Sequence, residues 1–168
     1  IQCTREFTLT NVTGTFSATD TITGQTSGAT ATVTAWDSTN KILTVKNETG
    51  AFTLNEVITV ALFSGTISSM ASTKEYSLAS DLSYPLSFRN RSQDYVISII
   101  GNEDIDLRDP DQSQTGEPNG VVMIGLDSSG NQKVQLYPAP DDSNTIIDYR
   151  YYGYLSDYTS GDDSVDLT

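Results

Sequence analysis

Carboxylates are the most numerous reactive groups in this chain, and several of them cluster. Asp104, Asp106, Asp109 and Asp111 fall within one short stretch. Calcium takes several carboxylate oxygens from a single loop, so this stretch is the best metal candidate. It lacks the glycine at the sixth position and the closing Glu at the twelfth that an EF-hand needs, and Pro110 would stiffen any wrapping. A solvated acidic face that caps a helix start is the plainer reading, because helix N-termini favour acids. Two adjacent pairs, Asp141-Asp142 and Asp162-Asp163, raise glycoside hydrolysis. That chemistry requires two acids about 5–10 Å apart across a sugar cleft. Neighbours in a strand point to opposite faces, and both pairs sit in turn-like or terminal stretches, so solvated turns are expected instead.

Three other groups bear on chemistry. Tyr149, Tyr151, Tyr152, Tyr154 and Tyr158 form a tyrosine-rich run that could stack on sugar, meet a partner, or pack across strands. Cys3 has Arg5 nearby and no base in sight, which makes a poor nucleophile. The sequons at Asn11, Asn47 and Asn90 matter only in a secreted eukaryotic protein, and no leader opens the sequence. Histidine is absent, so imidazole bases, Ser-His triads and His-ligated zinc are excluded. No catalytic, cofactor-binding or metal-binding residue is therefore assigned, and the chain is expected not to be an enzyme.

The scaffold that positions these groups reads as β throughout. The 168 residues carry a net charge of −13, with 22 acidic residues against 9 basic. Such a balance argues against a sequence-independent grip on nucleic acid, which needs clustered Lys and Arg. No apolar run approaches the ~18 residues of a membrane helix. With one cysteine, no disulfide closes within the chain.

Composition breaks near residue 72. All nine tyrosines and all five prolines follow it, whereas 18 threonines precede it and 5 follow. Residues 1–72 hold 3 basic and 5 acidic residues, and residues 73–168 hold 6 and 17. Two modules joined end to end are expected, 1–72 and 73–168, with the Ser-rich stretch from Ser64 to Thr73 as the seam.

Within the first module, Thr13-Gly14-Thr15-Phe16 with Asp20-Thr21-Ile22-Thr23 matches Thr49-Gly50-Ala51-Phe52 with Glu56-Val57-Ile58-Thr59 at an offset of 36. Two copies suit a pseudo-symmetric sheet in which each supplies one Phe anchor and one strand pair. Between them, 29–36 and 41–46 read as a hairpin turned by Asp37-Ser38-Thr39-Asn40. In the second module, strands are expected at 76–78, 84–88, 121–124, 134–137 and 146–152. Pro85 marks a strand start or edge, and Val96–Ile100 reads as a buried strand. One or two helical turns are expected over 102–109. The fold class is all-β: two small antiparallel β modules, barrel- or sandwich-like.

Two stretches also carry a resemblance. Gly14-Thr15-Phe16, Ile22-Thr23-Gly24, Thr26-Ser27-Gly28-Ala29 and Gly50-Ala51-Phe52 resemble small Thr/Gly-rich β modules of tailed-bacteriophage virion proteins. Tyr76-Ser77-Leu78 with Asp81-Leu82, Gly116-Glu117-Pro118, Val134-Gln135-Leu136-Tyr137-Pro138-Ala139-Pro140-Asp141 and Tyr149-Arg150-Tyr151-Tyr152 resemble the β-domain of the phage head-to-tail adaptor family, also called neck or tail tubular A-like. These segments cover about half the chain.

The resemblance implies a structural virion protein in a homo-oligomeric ring, contacting portal and tail, with DNA passing nearby without sequence-specific binding. It implies no membrane, assembly in the bacterial host cytoplasm, and residence in the virion. It also implies that the first module is an insertion preceding the adaptor-like sheet. Adaptors of this kind carry a helical bundle around the β-domain that this sequence lacks, so the chain is expected to be either a fragment or the ordered part of a longer polypeptide. An acidic wall beside a DNA channel would repel phosphates rather than hold them. The alternative is a decoration or tail protein whose β module binds glycan.

Overall fold

Threonine and β-branched residues dominate the first 72 residues, and alternation of buried with wet positions shapes them into a barrel. The computed structural model describes residues 1–154. Six strands, β1 (Arg5–Thr13), β2 (Thr21–Gly24), β3 (Thr30–Asp37), β4 (Ile42–Thr49), β5 (Val57–Val60) and β6 (Phe63–Ser72), close in the order β1-β4-β3-β2-β5-β6. Every neighbouring pair is antiparallel. In β3, Ala31 and Val33 point inward while Thr30, Thr32 and Thr34, which alternate with them, are half-buried. Closure leaves no open edge, which explains how so short a module can be all strand.

The sequence repeat is the symmetry of this barrel. Each copy contributes three strands rather than one pair: β1, β2 and β3, then β4, β5 and β6. Exchanging the copies maps the circle of strand neighbours onto itself. The backbone repeats as well. Asn11 and Asn47 (φ 50 and 53), Gly14 and Gly50 (φ 79 and 81), and Thr19 and Asn55 (φ 78 and 66) all take left-handed conformations. Gly and Asn tolerate that region best, which is why the motif carries them. At Gly14 a Cβ would also lie 1.9 Å from Cδ1 of Phe63. The two Phe anchors, Phe16 and Phe52, are buried in one core; Phe16 meets Trp36 edge-on at 5.2 Å and Phe52 meets Phe7 at 5.1 Å.

The Ser-rich stretch expected as a seam is instead β6, a full barrel strand. Its Gly65 and Ile67 face the core, and β1 and β5 flank it. Serine lowers strand propensity, but two ladders of backbone hydrogen bonds override that local preference.

The second sheet is built from β7 (Glu75–Ser77), β8 (Leu82–Asn90), β9 (Tyr95–Ile99), β11 (Gly120–Leu126), β12 (Gln132–Tyr137) and β14 (Ile147–Gly153), with α1 (Asn102–Arg108) and a parallel pair, β10 (Thr115–Gly116) and β13 (Ala139–Pro140), in the connections. Sheet order is β14-β8-β9-β11-β12-β7. Its inner face holds Phe88, Ile97, Val121, Val134, Leu136 and Ile147. Pro85 pairs with Tyr151 beside a bulge in β8, and β9 reaches only Phe88–Asn90, so the side of Pro85 that lacks an N–H has no strand beside it.

β9 is not the doubly buried strand its apolar run suggests. Ile97 is buried, yet Val96, on the opposite face, is 72% exposed. Only one face of the sheet is covered here, and continuous apolarity does not distinguish the two cases.

The helical turns are present as α1, with Gly101 as N-cap and Asn102 already inside the helix. Asp104 accepts the Gly101 amide at 3.2 Å, and Ile105 is the one buried residue, packed with Val122 and Tyr137.

Ile1–Cys3 belong to the second module. Ile1 and Ile147 exchange backbone hydrogen bonds of 2.6 and 2.8 Å, the Cys3 amide donates to Thr145, and Cys3 is fully buried in the second core. The chain then enters the barrel at Arg5 and leaves at Ser72, residues that face each other across β1 and β6. Thr73 donates to the Thr4 carbonyl at 3.2 Å just outside. The barrel is thus looped out of the second sheet between two adjacent points. Further links tie them: the Glu48 amide donates to Ser143 Oγ and Asn144 Nδ2 to the Glu48 carbonyl, while Arg5 pairs with Glu48 at 2.9 Å within the barrel.

Candidate functional site

Each group singled out in the sequence now has a place. Of the Asp104–Asp111 cluster, Asp104 is tied to the helix start. Asp109 is buried, and its two oxygens accept the Ser113 and Gln114 amides at 3.1 and 2.9 Å. Among the described residues, no three His, Cys, Asp or Glu side chains converge as metal ligands would. Asp142 accepts the Asn144 amide at 2.8 Å in its own turn, as Asp37 and Asp127 do in theirs. Hydrogen bonds from Ser77, Asn131 and Ser129 hold the Asp127 carboxyl down at about 2. Asp162 and Asp163 lie outside the described residues. Burial pushes the Cys3 thiol up to about 11, outweighing a hydrogen bond with Tyr76, which is the reverse of what a nucleophile needs. Asn90 is fully buried, with Nδ2 donating to Glu117 and Tyr95.

Most tyrosines act as staples. The Tyr76 hydroxyl donates to the Thr73 carbonyl and accepts the Thr4 amide at the crossing between modules. Tyr95 donates to the Pro118 carbonyl at 2.7 Å. Tyr149 stacks between Phe88 and Tyr151 and accepts the Ala79 amide, while Tyr151 donates to Asp81. Tyr84, Tyr152 and Tyr154 are different: they are 62%, 63% and 68% exposed. Tyr158 lies outside the described residues. A single tyrosine-rich strand thus divides by strand alternation into an inward stack and an outward display.

That display belongs to a continuous surface. Strand register places Asp148, Arg89 and Val96 side by side across β14, β8 and β9, then Arg150 opposite Ser87 and Tyr152 opposite Tyr84. Leu86, the extra residue at the bulge, is also exposed. A shallow groove of about 230 Å³ runs between Arg89, Val96, Asp148 and Arg150. The opposite half of the same outer face, Ile100, Val122 and Tyr137, lies under α1. Arg89 pairs with Asp94 and Arg91 with Asp148, all of them well exposed, and Arg150 makes no ion pair among the described residues. Neither the exposure of this face nor its arginines were legible beforehand, since sequence does not reveal which half of a sheet a helix covers.

No family model, curated protein or solved structure matches this chain. The functional reading therefore rests on the surface itself and on the sequence resemblance. Two lesser features accompany the sheet face. A cleft of about 420 Å³ between the modules is lined by Arg5, Met70, Lys74, Gln112 and Asp141. At the β5–β6 turn, Leu62 is 92% exposed beside Ala61, whose φ is 47. No helix among the described residues is long and apolar enough to cross a membrane.

Proposed function

We propose that this chain is a non-enzymatic structural protein of a tailed-bacteriophage virion, a head-to-tail connector subunit that forms a ring between portal and tail and lets DNA pass. The observation that carries the reading is the uncovered outer face of β14, β8 and β9. Exposed aromatic and apolar groups gathered on one sheet face favour a macromolecular contact over a solvated surface. The resemblance supplies the kind of assembly. Two of its motifs are neighbours in space, Thr115-Gly116 pairing with Ala139-Pro140, and β14 follows them as the tyrosine-rich strand. A net charge of −13 suits a wall that DNA slides past, because phosphates find few cations on which to release counterions.

Negative-stain microscopy of the purified chain, together with antibody labelling of intact particles, tests this. Closed rings and label at the neck agree with it; label on the outer shell away from the tail vertex refutes it. The exposed Tyr84, Tyr152 and Tyr154 also favour a second reading, a decoration or tail protein whose aromatics stack on host glycan. A glycan array separates the two, since a connector subunit binds nothing on it.

A further inference from the structure

The sheet itself indicates what fits its outer face. Over β11 and β12 it is covered by α1, a short acidic helix that buries Ile105 against Val122 and Tyr137. Over β14, β8 and β9 the same face is open and holds Arg89 and Arg150, with Arg91 just past β8 paired to Asp148; these are three of only nine cations in the chain, against Asp94 and Asp148 as the acids beside them. Beside those arginines runs an exposed apolar strip, with Val96 opposite Arg89 and with Leu86 and Tyr152 just past the Arg150–Ser87 pair. Meanwhile α1 has a second, exposed side: Leu107 is 84% exposed, with exposed Glu103 one turn before it and exposed Asp106 next to it.

We infer that the open β14-β8-β9 face of one copy receives the exposed side of α1 from the next copy, Leu107 on the apolar strip and Glu103 and Asp106 against Arg89 and Arg150. Charge decides in favour of a second copy. A chain with 22 acids and 9 bases repels itself almost everywhere. This face is where its cations gather beside apolar surface, and the exposed side of α1 is an acidic apolar element of matching sign. The existing partners of Arg89 and Arg91 are exposed surface pairs, which exchange readily. The two surfaces differ, so the contact is head-to-tail and propagates until it closes. This inference rests on the connector reading and specifies its subunit contact.

Sedimentation of the full chain tests it, using wild type, R89E/R150E, E103K/D106K, and an equimolar mixture of the two variants. All four positions are exposed, so circular dichroism melts should stay unchanged. Wild type should associate, and each variant should weaken association by about tenfold or more in Kd. The mixture should recover it, because the reversed face of one variant attracts the reversed helix of the other. Rings that survive both pairs of substitutions overturn this contact while leaving the connector reading intact. A wild type that stays monomeric overturns the contact, as does a mixture that fails to recover. So does an R89E/R150E variant that assembles normally but loses binding to duplex DNA, which would make the face a nucleic-acid surface. Particle labelling away from the neck overturns the connector reading instead.

Discussion

Replacing Glu56 by Gln should destabilise the barrel by about 2–4 kcal/mol, far more than its side-chain volume would suggest. The residue is 3% exposed and forms no ion pair among the described residues. Its carboxylate accepts the Thr53 amide at 2.5 Å, the Ser27 amide at 3.1 Å and the Ser27 hydroxyl at 2.9 Å, clamping the β4–β5 and β2–β3 connections together. Burial alone would raise its pKa. The hydrogen bonds from Thr53, Ser27 and Thr26 together outweigh that and leave it below the ordinary value. In the amide variant an NH₂ must face one of these donors. One charge-assisted bond worth about 1.5–3 kcal/mol is lost, and a buried N–H costing about 1–3 kcal/mol is left unpaired; the two losses overlap, hence the range.

Trp36, the only tryptophan, lies in β3 against Phe16, so its fluorescence reports the barrel specifically. At an m-value of about 2 kcal/mol/M, the urea midpoint should fall by about 1–2 M. The repeat provides an internal control. Asp20, which stands where Glu56 stands in the other copy, accepts the Ser17 amide at 2.8 Å in an exposed turn, and Asp20→Asn should cost under about 1 kcal/mol. The pH dependence follows the same logic. A folded pKa below the unfolded value of about 4.3 means that the unfolded chain takes up protons first on acidification. The contribution is therefore complete above about pH 4.3 and is lost as the pH falls through the folded value, so the gap between wild type and E56Q should narrow there. An E56Q midpoint within about 0.3 M of wild type, or no lower than that of D20N, would refute the clamp.

Phe16→Ala and Phe52→Ala should each lower barrel stability by about 3–5 kcal/mol in the same urea assay; one large and one negligible loss would show that the two anchors are not equivalent. Cys3 should resist thiol reagents in the native protein at pH 8. At that pH a thiol near 11 holds about 240-fold less thiolate than one near 8.5, so labelling kinetics should follow opening of the second module, and prompt native labelling would contradict its burial. Asp109→Ala should cost about 1.5–3 kcal/mol by freeing the Ser113 and Gln114 amides, read by thermal melt. Calcium at about 5 mM should leave that melt unmoved, whereas a clear upward shift would revive the metal reading.

Local pattern determined a good deal of this protein. Alternating β-branched residues gave the strands, Asp37 to Asn40 gave the β3–β4 turn, and the offset of 36 announced two equivalent halves, because side-chain periodicity and turn chemistry act within a few residues. Pairing between distant strands lies beyond that reach. Only the tertiary structure decided that the halves interleave into a closed barrel, that Ser64 to Ser72 form a strand within it, and that Ile1–Cys3 join the other sheet. It likewise decided that Tyr149 and Tyr151 pack inward while Tyr152 displays itself beside Arg150. Which face of a strand is wet depends on what crosses over it, and α1 stops short of β14.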